Sequence, residues 1–213
     1  MKVVIFESCH FTRVGIVNHI SNSNLGLKDF HIYHALNTEN LFSFIQKKIP
    51  DLAFISDELI LEDFFFRVRL KNIIMKNQYS IFIILTNLSS FHFRVLLKIR
   101  NNIVIASKAI DLISLRDLIE RKAKKYSATD ECHSVNKEGL PLTLSFTESA
   151  MLEMWMSGMD TGKIAKTLGI KEKTVSSHKF NVKIKMKTSN QLAIFHILRL
   201  VDTISSGFFV SIK

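Results

Sequence analysis

Residues 144–186 read LSFTESAMLEMWMSGMDTGKIAKTLGIKEKTVSSHKFNVKIKM, and the spacing of their apolar side chains decides how the C-terminal part of the chain folds. Thr147 and Glu148 open a helix in which Met151, Leu152, Trp155 and Met156 recur at the three- and four-residue steps of one helical face. Gly158 ends it, because glycine takes the left-handed conformation that stops a helix without a Cβ clash. A second helix, 161–168, carries Ile164, Ala165 and Leu168 on its inner side. Gly169 and Ile170 form a tight turn, and a third helix spans 172–186. A short helix, a glycine-containing turn and a longer basic helix are the parts of a helix-turn-helix. In that motif the last helix enters the major groove of duplex DNA.

Within the third helix Val175, Val182 and Met186 share a face and are expected to pack inward. Ser176, Ser177, Lys179, Phe180 and Lys183 then point outward, and Lys171, Lys173 and Thr174 complete the candidate DNA-binding set at the helix start. Serine hydroxyls bond base edges of either sense, and an aromatic ring meets a thymine methyl. Lysines neutralise phosphate, which adds affinity without sequence information. The charge balance agrees with this reading. The chain has a formal net charge of +10, and residues 142–213 hold ten Lys/Arg against five Asp/Glu. Lys171, Lys173, Lys179, Lys183, Lys185 and Lys187 crowd one segment with Glu172 the only acid among them. Such clustering favours a polyanionic partner.

Working towards the N-terminus, residues 126–141 are rich in Ser, Thr, Asp, Glu, Asn and Lys and read as a linker. Before it, short apolar runs alternate with longer helical patterns. The strands are Val3–Phe6, Phe30–His34, Leu52–Ile55, Ile81–Leu85 and Ile103–Ala106; the helices are 12–19, 39–47, 62–76, 91–99 and 114–124. Five strands alternating with five helices predict a doubly wound α/β domain over 1–125. Residues 142–213 form the second domain, read as all-α although Phe208-Phe209-Val210 carries a strand signal. Phe64-Phe65-Phe66 cannot all face one core, since helical neighbours point about 100° apart.

The stretch 144–186 resembles the helix-turn-helix of LuxR/FixJ-type bacterial regulators, through Glu148, Leu152, Gly158, Ile164-Ala165, Lys173-Thr174-Val175, His178 and Asn181-Val182. The resemblance implies a four-helix domain whose fourth helix, 191–203, supports the fold and contributes to dimerisation. Leu192, Ile194, Phe195, Ile197, Leu198 and Val201 give that helix more apolar surface than one small core needs. One position departs from the family: Lys171 stands where a Ser or Thr usually caps the third helix, weakening the cap by about 1 kcal/mol. The domain ahead of it resembles a response-regulator receiver, with Thr86 and Lys108 at the family's switch threonine and lysine. Receivers hold Mg²⁺ with an acidic pair and are phosphorylated on an aspartate, but here the pair becomes Glu7-Ser8 and the acceptor position falls on Ser56. Asp57 lies one residue further, and alternation along a strand points it away from the metal site. The expectation is a receiver fold with neither phosphorylation nor a bound metal.

Three further features narrow the resemblance: the SSHK segment 176–179, the ending 181–186, and the tail Gly207-Phe208-Phe209-Val210. With Ser107-Lys108 and Met154-Trp155-Met156 they resemble the auxiliary activators of capsular exopolysaccharide synthesis in enteric bacteria. That branch implies double-stranded promoter DNA, a heterodimer with an RcsB-type response regulator, RNA polymerase at the promoter, and turnover by the Lon protease. A stand-alone homodimer acting on fimbrial, motility or stress genes is the alternative, and a module that binds no DNA is a further one.

Two cysteines, Cys9 and Cys132, lie far apart without His or Cys at ligand spacing, which argues for a reducing compartment and against a zinc site. His10, His19, His31, His34 and His92 show no ligand spacing either. The apolar run Val3–Phe6 is too short for a signal peptide, and no stretch approaches the roughly 20 residues of a membrane span. The chain is expected in the cytoplasm, on the nucleoid when bound to DNA. Paired carboxylates, a Ser/His/Asp arrangement and a P-loop are missing, so neither an enzyme nor a cofactor is expected.

Overall fold

The computed structural model describes residues 1–22, 30–88, 96–127, 140–205 and 207–211. The N-terminal part runs β1 (Lys2–Phe6), α1 (His10–Asn22), β2 (His31–His34), α2 (Thr38–Lys48), β3 (Leu52–Ser56), α3 (Glu58–Glu62), α4 (Phe64–Lys76), β4 (Ile81–Thr86), β5 (Leu97–Arg100), β6 (Ile103–Ser107) and α5 (Leu112–Ser127). Its sheet has the strand order β2-β1-β3-β4-β6-β5, with β5 the one antiparallel member. The five parallel strands therefore follow a doubly wound order, with helices on both faces.

Alternation along the strands builds the two layers. Val3, Ile5, Leu52, Phe54, Ile83 and Leu85 point to one face and meet Ile16 and Ile20 of α1 with Leu115 and Ile119 of α5. Val4, Ala53, Ile55, Phe82 and Ile84 point to the other, against Leu41, Phe42 and Ile45 of α2 and Phe66, Leu70 and Ile73 of α4. Phe66 alone of the aromatic triplet enters the core; Phe64 and Phe65 are exposed.

Three expectations for this part of the chain are corrected. The sheet has six strands instead of five, because residues 97–99, read as helix, belong to β5, while 91–95 lie outside the described residues. Leu97 and Ile99 are buried and their neighbours Lys98 and Arg100 are not, the period of a strand, and the hairpin turns at Asn101-Asn102 into β6. The helix expected over 62–76 is broken at Asp63, whose extended backbone and side chain, accepting from the Phe66 amide at 3.0 Å, cap a separate α4. At the other end α5 runs through Tyr126 and Ser127, two residues assigned to the linker; 128–139 are not described.

The C-terminal part runs β7 (Thr143–Ser145), α6 (Phe146–Met156), α7 (Thr161–Leu168), α8 (Glu172–Lys185), α9 (Gln191–Ser205) and β8 (Phe209–Ser211). Strands β7 and β8 pair in parallel, so the domain is helical with a two-stranded clasp and not all-α. The pairing links residues 66 apart at Thr143 and Phe209, which local pattern does not reveal. Met151, Leu152, Ile164, Val175, Val182 and Met186 are buried where α6, α7 and α8 converge.

Helix α9 explains its surplus of apolar residues. Ala193, Ile194, Ile197, Leu198, Leu200, Val201 and Ile204 are all buried, because α9 also packs against α3 and α4 of the N-terminal part. Polar contacts pin this seam. His196 Nε2 lies 2.7 Å from Asp57 Oδ2, Arg100 donates to the Gly207 carbonyl at 2.7 Å, and the Leu142 amide donates to the Lys98 carbonyl at 2.8 Å.

Candidate nucleic-acid interface

The candidate surface starts with a firmly placed α6. Ser145 Oγ accepts from the Glu148 amide at 3.1 Å and Glu148 Oε2 accepts from the Ser145 amide at 2.8 Å, a reciprocal cap. The same buried Oε2 takes the Lys185 ammonium of α8 at 2.5 Å, which ties the two helices together. Gly169, at φ +64°, ends α7 in the left-handed region and lets the chain turn into α8. Lys171 occupies the N-cap of α8 and its side chain makes no capping bond. Lys171→Ser should therefore raise stability by about 0.5–1 kcal/mol in thermal unfolding. No gain in midpoint would show that the amides at this helix start are already satisfied.

With Val175, Val182 and Met186 turned inward, the opposite side of α8 is left to solvent. Lys173, Ser176, Ser177, Phe180 and Ile184 are exposed there, Phe180 at 63 % and Ile184 at 59 %. Two apolar side chains one turn apart on this outward face lie outside the core. Ile184 was not among the candidates read from sequence; its position four residues after Phe180 was the available signal. The serine hydroxyls donate to carbonyls one turn back, Ser176 to Glu172 at 3.1 Å and Ser177 to Lys173 at 3.0 Å. Their oxygen lone pairs remain outward as acceptors.

Lys179 and Lys183 are placed differently from the outward expectation. Both are partly buried on the flank of α8, over the ring of Trp155 in α6, with Nζ to centroid distances of 5.1 and 5.8 Å. Lys179 Nζ also donates to Thr161 Oγ1 at 2.9 Å, at the start of α7. Burial, and then the neighbouring Lys183 charge, push the Lys179 pKa below its ordinary value. Lys171 is exposed at the helix start, and Thr174 is half-buried. The structure thus brings all eight candidates onto one helix but splits them between an outward face and a flank.

The receiver-like site has its own geometry. Lys108 Nζ lies between Glu7 Oε1 at 2.9 Å and Glu58 Oε1 at 3.1 Å. Ser8 Oγ donates to Glu58 Oε2 at 3.0 Å, and Thr86 Oγ1 accepts from the Leu88 amide. Burial alone would lower the Lys108 pKa, but the two carboxylates outweigh it and raise it. Two carboxylates, Glu7 and Glu58, face the ammonium here, and among the described residues no three His, Cys, Asp or Glu side chains gather into a set that could hold a metal ion. Ser56 is buried with its Oγ unpartnered, and Asp57 faces α9 and His196 instead of Lys108. Glu58, absent from the sequence reading, completes the cluster because α3 begins directly after Asp57.

Comparison with known proteins adds to this geometry. Residues 2–131 match the family described as "Transcriptional regulator RcsA, N-terminal dimerisation domain", and 142–198 match "Bacterial regulatory proteins, luxR family". The transcriptional regulatory protein RcsA of Pantoea stewartii subsp. stewartii is 36% identical over 213 residues, covering 100% of both chains. That of Erwinia amylovora is 35% identical over 211 residues, 99% of each, and that of Escherichia coli O157:H7 is 33% identical over 213, again 100% of each. Among solved structures, one of two RcsB dimers bound to two parallel DNAs superposes with a TM-score of 0.52 at 19% identity. It covers 94% of this chain and 98% of that one, which supports the same two-part fold.

Proposed function

The chain belongs to the RcsA family of LuxR-type DNA-binding transcription regulators, and from that premise we propose that it is a co-activator of capsular exopolysaccharide genes, binding promoter DNA as a heterodimer with an RcsB-type response regulator. The observation that carries the DNA-binding site is the outward face of α8. A basic helix exposing Lys173, Ser176, Ser177, Phe180 and Ile184, with its other side locked in a core, presents phosphate-neutralising and base-reading groups together. Lys171, Thr174, Lys179 and Lys183 extend the proposed contact along the helix start and flank.

The receiver-like site supports the reliance on a partner. Lys108 is neutralised by Glu7 and Glu58, and Asp57 is engaged by His196, an arrangement that supports control by partnership in place of phosphorylation or metal binding. RNA polymerase at the promoter and the Lon protease complete the proposed set of partners. Among the described residues no helix is long and apolar enough to cross a membrane. We place the action in the cytoplasm, on the nucleoid, as regulation by binding without catalysis. Leu192 and Phe195, exposed on α9 at 76 % and 41 %, favour self-association as the second reading.

The deciding experiment is binding to a capsule-operon promoter fragment at fixed salt, with and without the RcsB-type regulator. Selective binding only with both proteins present supports the heterodimer; equal selectivity by this chain alone favours the stand-alone regulator instead. Within that assay Ser177→Ala should shift preference at one base position by about 5- to 10-fold, the value of one hydrogen bond. Because the Ser177 oxygen faces outward as an acceptor, the base it prefers is one presenting an amino group. Lys173→Ala should weaken all sequences alike and reduce the salt slope by about 0.9. A uniform loss from Ser177→Ala would remove it from base reading.

A further inference from the structure

Trp155 is the one tryptophan of the chain and is 9 % exposed, yet two ammonium groups, those of Lys179 and Lys183, lie over its ring, 5.1 and 5.8 Å from the centroid. Two like charges four residues apart on a helix repel each other, and Lys179 is partly desolvated as well. A core residue chosen for packing alone has no reason to gather them. No carboxylate among the described residues lies within ion-pair distance of either lysine; Asp160, whose charge acts on Lys179, pairs with Lys163 at 3.4 Å. What holds the pair is the negative face of the indole and Thr161 Oγ1, which accepts from Lys179. Both elements come from outside α8, so α6 and the start of α7 fix where the lysines of α8 point.

An exposed lysine gives up rotamer freedom when it is fixed on a phosphate. Lysines already held over a ring have lost part of that freedom, and a partly buried, repelling pair lacks only an anion. We propose that Trp155 is the positioning residue of a phosphate clamp, in which its ring and Thr161 hold Lys179 and Lys183 ready to receive one backbone phosphate of the bound duplex. This deepens the DNA-binding role proposed above and rests on it. The clamp contributes affinity and register without sequence information, which leaves base reading to the outward face of α8.

The test uses the full-length protein and the same promoter fragment, with the RcsB-type regulator present if binding needs it. Trp155→Leu should weaken binding about 5- to 10-fold and lower the salt slope by about 0.9, the value of one phosphate contact. Trp155→Phe, which keeps a ring, should retain most of the affinity. In a Lys179→Ala/Lys183→Ala background, Trp155→Leu should have no further effect. Tryptophan emission of the wild-type protein should change on adding the fragment, and that change should vanish in the double lysine variant. If Trp155→Leu weakens binding equally with and without the two lysines, Trp155 only supports the fold and the clamp is wrong. Should Trp155→Leu fail to fold, the Trp155→Phe affinity and the emission change decide, and an emission change that survives loss of both lysines overturns the proposal. Wild-type protein that shows no selective binding at all would overturn the underlying DNA-binding reading, a distinguishable failure.

Discussion

Replacing His196 with alanine should destabilise the chain by about 2–4 kcal/mol, and replacing its partner Asp57 with alanine should cost less than half as much. The asymmetry follows from burial. Asp57 is 3 % exposed and its carboxylate oxygen lies 2.7 Å from His196 Nε2, whereas the His196 side chain is 27 % exposed. A carboxylate oxygen only accepts, which places a proton on Nε2. Removing the imidazole strands a desolvated carboxylate at the end of β3. Removing the carboxylate leaves an imidazole that water reaches. A hydrogen bond to a charged group contributes about 1.5–3 kcal/mol and leaving the buried carboxylate without it adds a desolvation cost, which the partial exposure of His196 keeps small. Denaturant unfolding of both variants measures the order. Equal losses, or a larger one from Asp57→Ala, would show that the carboxylate gains little from its partner.

The second large effect is expected at Glu148. Glu148→Ala removes the bond to the Ser145 amide, the packing of a side chain on a 4 % exposed residue, and the Lys185 ion pair between α6 and α8. A cap contributes about 1 kcal/mol. The ion pair adds a similar amount, discounted because the Lys185 side chain is 37 % exposed and screened by solvent. The expected loss is about 2–3 kcal/mol, and Glu148→Gln, which keeps the bond to Ser145, should lose less than half of it. The same residue predicts acid sensitivity. Burial pushes the Glu148 pKa up, but the Lys185 ammonium and the Ser145 amide together hold it below its ordinary 4.5. A carboxyl whose pKa is lowered by folding stabilises the fold above its unfolded value, and that contribution is lost as pH falls through the folded value. Unfolding of Glu148→Gln should therefore vary less with pH below 4.5 than that of the wild type. Identical acid profiles would remove Glu148 as a source of pH dependence.

Much of the candidate interface was legible because it depends on neighbours a few residues apart. Met151, Leu152 and Ile164 are buried, and so are Val175, Val182 and Met186 of the third helix, where helical spacing put them. Gly169 sits in the left-handed turn its position called for. The outward placement of Ser176, Ser177 and Phe180 follows from the same spacing. Lys179 and Lys183 did not, since their orientation is fixed by Trp155 and Thr161, side chains on other helices. Glu58 escaped notice because a carboxylate at the start of a helix looks like ordinary surface until Lys108 is brought to it from 50 residues away.

By itself the sequence determined the alternating strands of the doubly wound sheet, the helix-turn-helix and the residues that fill its core, because periods of two and of 3.6 residues are set by the backbone and are visible locally. Only the tertiary structure decided the rest. Residues 97–100 became an edge strand because β6 offered its unpaired side, a gain that outweighed local helical pattern. Thr143–Ser145 became a strand because Phe209–Ser211 returned beside it. The second apolar face of α9 was covered by α3 and α4, and Asp57 found His196 139 residues further along the chain. Each of these rests on partners that sequence distance conceals, and their stability comes from desolvation at a contact that exists only once the chain has folded.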